Sequence, residues 1–288
     1  MIGRVLFPYL YLSLTGLAIS SCASKNDLQA DDYLNKAREL LQTHQFQAAK
    51  LYIDSVRIKF PKDYTKIREG LGVMREVNFA EQKRTLAFCD SMLKVRQDEL
   101  PEAQKDFVFK KNAEYESIGH YVYKTQIQES SIGRTYLQTK VDENGNLVLT
   151  SYYSGSRPLN HTALRVSSND GSFAESQVVP KDGALNYTFK DGGNHYEIVC
   201  FNKKAENGVI NYILMHENQP VKIELTGGNQ KTYLISNNDK AAMKSANDLS
   251  VILTDINRLL NEIRLSQAKL DYIYQKQEAF KADSGSSN

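Results

Sequence analysis

The spacing of apolar side chains changes twice along the chain. From Asp31 to about Leu100 they recur at three- and four-residue intervals. Tyr33, Ala37, Leu40 and Leu41 form one helical stripe, and Ala49, Ile53 and Val56 form a second, which Pro61 closes. Asp31 or Asp32 stands where a cap for the first helix is needed. Ile67, Leu71 and Met74, then Leu86, Cys89 and Leu93, continue the period, with the polar run Glu81–Thr85 between them. A single helix from Tyr64 to Leu100 would be about 50 Å long. Gly70 and Gly72 weaken its start, and Pro101 marks its end or a kink. Glu102 to about Glu116 is expected to form one more helix.

Near residue 120 the period falls to two. HYVYKTQ, RTYLQTKV, NLVLTSYY, TALRVSS, LNYTF, HYEIVCF, VINYILM, VKIEL and TYLIS are short alternating runs rich in β-branched and aromatic residues. Asn144-Gly145, Asp170-Gly171, Asp182-Gly183, Asp191-Gly192-Gly193, Asn207-Gly208 and Gly227-Gly228 supply turns between them. This pattern predicts an antiparallel sandwich or small barrel. The clearest hairpin is Val141–Leu147. Asp142, Asn144 and Asn146 alternate as in a calcium loop, but Leu147 stands where that loop needs Gly and no Glu closes it. The turn reading is preferred.

From Asn238 to Phe280 the helical period returns. Leu249, Ile256, Ile263 and Leu270 are spaced by sevens, with Ile252, Leu259 and Ile273 three residues on; Ser266 and Gln267 interrupt the seam. Such a helix packs lengthwise on another. Its partner is either the earlier long helix, with the β region at one end of an antiparallel stalk, or a second copy. The predicted class is α+β: a helical hairpin and long helix, an antiparallel β-sandwich or small barrel, and a heptad-patterned C-terminal helix. The expected segments are a leader 1–21, a linker 22–30, helices 31–116, a β domain 117–236, a helix 238–281 and a tail 282–288.

Two local resemblances refine this picture. Tyr33, Ala37, Phe46, Ala49, Ile53, Val56 and Pro61 fall at offsets that resemble a tetratricopeptide repeat. Ala37 replaces the usual Gly, and Leu40 occupies a position often aromatic. No second unit of comparable quality precedes residue 110, and such units need about three to stack. The resemblance therefore implies one helical hairpin of this type and no peptide-binding superhelix.

The second resemblance is at the N-terminus. Arg4 is the only charged side chain before Lys25, and an apolar core of about 15 residues follows it, short of the roughly 20 that a spanning helix needs. Ile19-Ser20-Ser21-Cys22 resembles the lipobox of bacterial lipoproteins, with Ile for the usual Leu. The resemblance implies thioether lipidation of Cys22, cleavage before it and a mature chain of residues 22–288. Each buried methylene contributes about 0.8 kcal/mol, so two or three acyl chains would anchor the protein firmly. No Asp follows Cys22, which favours the outer membrane over the inner one; the face is left open.

Charge and motif content narrow the function. The 36 basic and 34 acidic residues nearly cancel and are scattered, so no basic surface points to nucleic acid. The remaining cysteines, Cys89 and Cys200, are read as free thiols, with a disulfide left open by the oxidising compartment. His44, His120, His161, His195 and His216 show no metal-ligand spacing. No nucleophile elbow, P-loop or dinucleotide fingerprint occurs, so neither metal nor cofactor is expected. Asp170, Glu175, Glu197 and Glu224 are the candidate carboxylates for glycoside hydrolysis, which requires that folding bring two of them together. Tyr152, Tyr153, Tyr187 and Tyr212 are candidates for a sugar or peptide surface. The expected function is a lipid-anchored, non-catalytic envelope scaffold that meets protein partners or itself through its helices. Carbohydrate or peptide binding by the β domain is the alternative, and a hydrolase ranks below both.

Overall fold

The computed structural model describes residues 29–114, 116–127 and 131–285. Cys22 and the leader lie outside them. Two compact units divide between Asn78 and Phe79, within a continuous third helix.

The first unit holds α1 (Ala30–Gln42), α2 (Phe46–Lys59) and the first part of α3 (Tyr64–Gln104). Tyr33, at the start of α1, lies 5.9 Å from the Tyr52 ring and 6.0 Å from the Phe60 ring, at the end of α2. The two helices therefore run antiparallel. Ala37, Ala49 and Val56 are buried in the hairpin. At Gly70 of α3 an added Cβ would lie 3.4 Å from Ile53 and from Leu34, so the third helix crosses the pair there. The helix cap differs from expectation. Gln29 is the capping residue, and Asp32 sits a turn later and accepts its backbone N–H at 2.8 Å. The helix starts one residue before the acidic pair, so Asp32 reaches back as the second half of a capping box.

In the second unit, α3 from Phe79 onward runs antiparallel to α6 (Asn237–Gly285). Phe79 meets Tyr274 edge-on at 5.3 Å, Arg96 pairs with Asp255 at 2.8 Å, and Leu100 and Ala103 pack with Ala246, Leu249 and Leu253. Contacts therefore move up one helix as they move down the other. Leu249, Leu259, Ser266, Leu270 and Ile273 are buried, so the heptad seam is occupied within the chain. Cys89 lies buried on α3, where burial pushes its thiol upward, and both Cys89 and Cys200 are free. Pro101 neither ends nor breaks α3, which continues to Gln104. α6 reaches Gly285, beyond the expected start of the tail.

Between these helices the described residues form ten strands in two antiparallel sheets. β1 (Phe107–Lys110), β2 (His120–Tyr123), β3 (Tyr136–Asp142), β4 (Leu147–Gly155), β7 (Asn186–Asp191) and β8 (Asn194–Phe201) form a six-stranded sheet in the order β1-β2-β3-β4-β8-β7. β5 (Ala163–Ser167), β6 (Phe173–Glu175), β9 (Lys222–Thr226) and β10 (Lys231–Leu234) form a four-stranded sheet in the order β10-β9-β5-β6. Short helices α4 (Lys203–Glu206) and α5 (Val209–Met215) interrupt the strand run.

Three assignments change. The helix expected over Glu102–Glu116 is instead the end of α3 followed by β1, whose Phe107 packs beneath α6 while its backbone pairs with β2. VINYILM is α5 and not a strand. Asn207 and Gly208, with φ of 51° and 85°, end one helix and start the next, and Val209, Ile210 and Ile213 bury one helical face. β6 adds a strand that the sequence pattern did not announce.

The six-stranded sheet buries one face in two halves. Leu249 and Leu253 of α6 lie with Phe107, Tyr121 and Val141 on β1 to β3. Leu149, Val199 and Phe201 on β4 and β8 share a core with Leu164, Val166, Ile223 and Leu225 of the four-stranded sheet and with Ile213 of α5. The Asp142–Asn146 hairpin turn seals the boundary. Asp142 accepts the backbone N–H groups of Asn144 and Asn146 at 2.8 Å each, and Ser250 of α6 donates to the Gly145 carbonyl at 2.5 Å.

Gly145 has φ +85°, and a Cβ there would come within 2.5 to 2.8 Å of Thr254 and Ser250. Gly171 has φ +84° with open space around it. Gly171→Ala should therefore cost only the left-handed penalty, about 1 kcal/mol. Gly145→Ala should cost about 2–4 kcal/mol, because the turn must also lift off α6. Urea unfolding of the two variants measures the difference.

Candidate functional site

The other face of the six-stranded sheet is set by register. Tyr136 pairs with Tyr152, Tyr152 with Ile198 and Ile198 with Tyr187, giving one row across β3, β4, β8 and β7. The next row brings Tyr196 beside Phe189. Tyr136 and Tyr152 stack at 4.9 Å, as do Phe189 and Tyr196. Tyr187 remains 39% exposed and Phe189 45% exposed, a sizeable apolar presentation for side chains on one strand. A cavity of about 170 Å³ opens among Tyr136, Tyr152, Phe189, Tyr196 and Ile198, with Arg134 and Asp191 at its rim.

Arg134 is held by two contacts. Its guanidinium lies 5.0 Å from the Tyr136 ring centre and 3.2 Å from the Asp239 carboxylate. Asp239 is buried in the first turn of α6. It accepts from Ser236 Oγ at 2.6 Å and from Gln126 Nε2 at 2.9 Å. Gln126 also donates to the Leu137 carbonyl at 3.0 Å, and Gln138 donates to the Gln126 carbonyl at 2.5 Å. The start of α6 thereby fixes one wall of the aromatic cavity through buried hydrogen bonds.

Further along the same face a shallower cavity of about 260 Å³ is lined by His120, Lys140, Val148, Thr150 and Cys200. Burial lowers the proton affinity of Lys140 and of His120. Burial likewise raises the Tyr152 phenol well above its ordinary range. The face thus grades from an end with partly buried basic side chains to an aromatic end.

The residues singled out from sequence do not converge. Tyr152 and Tyr187 share this face. Tyr153 points into the core and donates to the Arg157 carbonyl at 2.9 Å, and Tyr212 lies on α5 and donates to the Ser172 carbonyl at 2.8 Å. Asp170 caps its own turn: Ser168 and Ser172 hydroxyls and the Ser172 N–H hold its carboxyl well below the usual range. Glu224 pairs with Lys222 at 2.7 Å, and Glu175 and Glu224 flank Arg165 on the four-stranded sheet. Glu197 lies in the core. Cys22 is outside the described residues. Among the described residues no three metal-ligating side chains cluster, and no helix is long and apolar enough to cross a membrane.

Glu197 belongs to an arrangement that sequence spacing did not reveal. Ser151 Oγ lies 3.1 Å from His161 Nε2, and His161 Nδ1 lies 2.8 Å from Glu197 Oε2. This is the order and reach of a nucleophile, base and orienting acid. Yet all three side chains are buried, and Glu197 also accepts the backbone N–H groups of Leu159, Asn160 and His161 at 2.6 to 3.0 Å. Four donors saturate the carboxylate and tie the 159–161 segment to β8. With Ser151 and His161 fully buried and the carboxylate saturated, the trio works as a structural clasp. Arg134, Tyr136, Phe189 and Tyr196 were also missed: Phe189 has the same strand parity as Tyr187, but Tyr136 and Tyr196 reach this face through the register of β3 and β8, and Arg134 precedes β3.

Compared with protein-family models, curated proteins and solved structures, the chain finds no match.

Burial pushes the Glu197 carboxyl up, but its hydrogen bonds prevail and hold it at about 2, against 4.5 when free. A depressed carboxylate contributes stability that is full above the unfolded value and is lost as pH falls through the folded one. Stability should therefore decline between pH 4.5 and 2. Glu197→Gln should lower stability by about 3 kcal/mol at neutral pH and flatten that decline. Urea midpoints at pH 7, 4 and 2.5 measure both effects.

Proposed function

We propose that this chain is a lipid-anchored envelope protein, acylated at Cys22, which acts as a non-catalytic protein-interaction module. In this reading the paired α3 and α6 hold the β domain, and the aromatic face of the six-stranded sheet meets the partner. The observation that carries the reading is the pair of exposed aromatics, Tyr187 and Phe189, on a sheet face that the shared core does not use. Large exposed apolar side chains grouped on one surface mark interaction sites. The heptad seam, by contrast, is already filled within the chain.

The geometry favours a protein partner over a sugar. A carbohydrate platform needs free ring faces, whereas Tyr136 covers Tyr152 and Phe189 covers Tyr196. The hydrolase reading loses support because the candidate acids are dispersed and Glu197 is sealed.

Two measurements test the proposal. Labelling with a radioactive fatty acid should mark the wild-type chain and leave Cys22→Ala unmarked and soluble. A photoreactive phenylalanine at position 189 should give a protein adduct of discrete mass in the native host, while the same probe at Phe88, 63% exposed on α3, should not. Adducts at position 88 and none at 189 would move the interface to the helices, and equal labelling of both Cys22 forms would remove the anchor.

A further inference from the structure

Backbone geometry at the free edge of the six-stranded sheet specifies the kind of partner more narrowly. β7 is the last strand in the order, and five consecutive residues of it, from Tyr187 to Asp191, are exposed. It joins β8 through Gly192 and Gly193, both at positive φ (54° and 85°), as a two-residue hairpin turn requires. In such a hairpin the residues next to the turn exchange hydrogen bonds, and bonded pairs then recur at every second position. Asp191, Phe189 and Tyr187 therefore direct their N–H and C=O groups at β8. The Cys200 N–H donates to the Leu185 carbonyl at 2.7 Å, in the same phase.

The even-numbered residues of β7 consequently point their backbone groups away from the sheet. Asn186 has these groups covered by its own turn, since its N–H donates to Asp182 at 3.0 Å and its carbonyl accepts from Gly183 at 3.2 Å. Thr188 and Lys190 have no such cover among the described residues. They present two donors and two acceptors in the alternation of an open strand edge.

The other edges are less open. β6 has three residues, and its Glu175 carbonyl accepts from Asn207 at 2.8 Å. β1 and β10 have four residues each. The first begins with Phe107 buried under α6, and the second leads directly into that helix.

We infer that β7 receives an extended segment of another polypeptide, which adds as a seventh strand through the backbone groups of Thr188 and Lys190. The inference rests on the proposed interaction role and names its partner's form. Only an extended backbone matches the donor and acceptor alternation. The added strand needs apolar side chains beside Tyr187 and Phe189, and acidic ones at the alternate positions beside Lys190. A second copy of β7 fits less well: pairing Thr188 with Lys190 of the copy places no acid opposite either lysine.

The test uses the full-length chain in detergent and a fluorescein-labelled, end-blocked decapeptide that alternates Val and Glu. Anisotropy should show saturable binding, and hydrogen exchange read at single amides should show Thr188 and Lys190 slowed at least tenfold. Tyr187 and Phe189, already bonded to β8, should be unchanged. Lys190→Pro removes an outward N–H, a change that edge strands tolerate, and should weaken binding at least tenfold. Lys190→Glu, which keeps the backbone intact, should shift preference to a Val–Lys peptide. Absence of saturation, unchanged affinity in Lys190→Pro, no shift of preference in Lys190→Glu, or protection confined to β1 or β10 would each overturn the inference. Protection of Thr188 and Lys190 that rises with protein concentration in the absence of peptide would also overturn it, in favour of a second copy. A discrete adduct at position 189 without protection of these amides would defeat strand addition and leave the interaction role standing.

Discussion

A six-stranded sheet has two faces, and this chain builds its shared core on one. That face is closed in halves, by the start of α6 over β1 to β3 and by the four-stranded sheet with α5 over β4 and β8. Each half must end where the other begins, and the hairpin turn at Asp142–Asn146 marks the junction by bonding to α6 through Ser250. The aromatic surface is a consequence of this arrangement. Side chains alternate across a strand, so every residue that packs inward places its neighbours on the opposite face. The burial of Leu137, Leu149 and Val199 thus fixes where Tyr136, Tyr152 and Ile198 stand.

Much of this architecture was legible in the sequence because it is periodic. The switch from a spacing of about 3.6 to 2 and back identified the long helices and eight of the strands. Heptads from Leu249 to Ile273 foretold a lengthwise partner, and the structure supplies it as α3. What failed was local ambiguity. VINYILM satisfies either period, and the sequence could not show that Asn207-Gly208 joins two helices. Phe107–Lys110 was too short to compete with the helical run before it. The candidate site was harder to read, because register across four strands decides which tyrosines meet. Tyr152 and Tyr153 are adjacent in sequence yet lie on opposite faces. The Ser151–His161–Glu197 trio joins a strand, a loop and a second strand, so no linear spacing records it.

That trio also shows why contact geometry alone does not establish chemistry. A base can activate a serine only where a substrate can reach it and where the acid serves the base. Here Glu197 spends three of its bonds on backbone amides of the 159–161 segment. A carboxylate buried with four donors is costly to disturb, because any lost partner leaves a charge or a donor unsatisfied in low dielectric. The energy holds a loop against the sheet, and the expected cost of removing it is paid in stability.

The proposed anchor and the proposed strand addition make complementary physical demands. A seventh strand held by four backbone hydrogen bonds gains about 0.5–1.5 kcal/mol from each and must still offset the entropy of ordering a flexible segment. By itself such contact is weak. Confinement of this chain to a membrane raises its effective concentration toward a partner at the same surface, into a range where weak contacts form and reverse readily. Acylation at Cys22 would therefore do more than set location: it would let an edge with only two open residues recognise its partner. The same weakness protects the free protein, since Lys190 on a short open edge resists indiscriminate sheet growth.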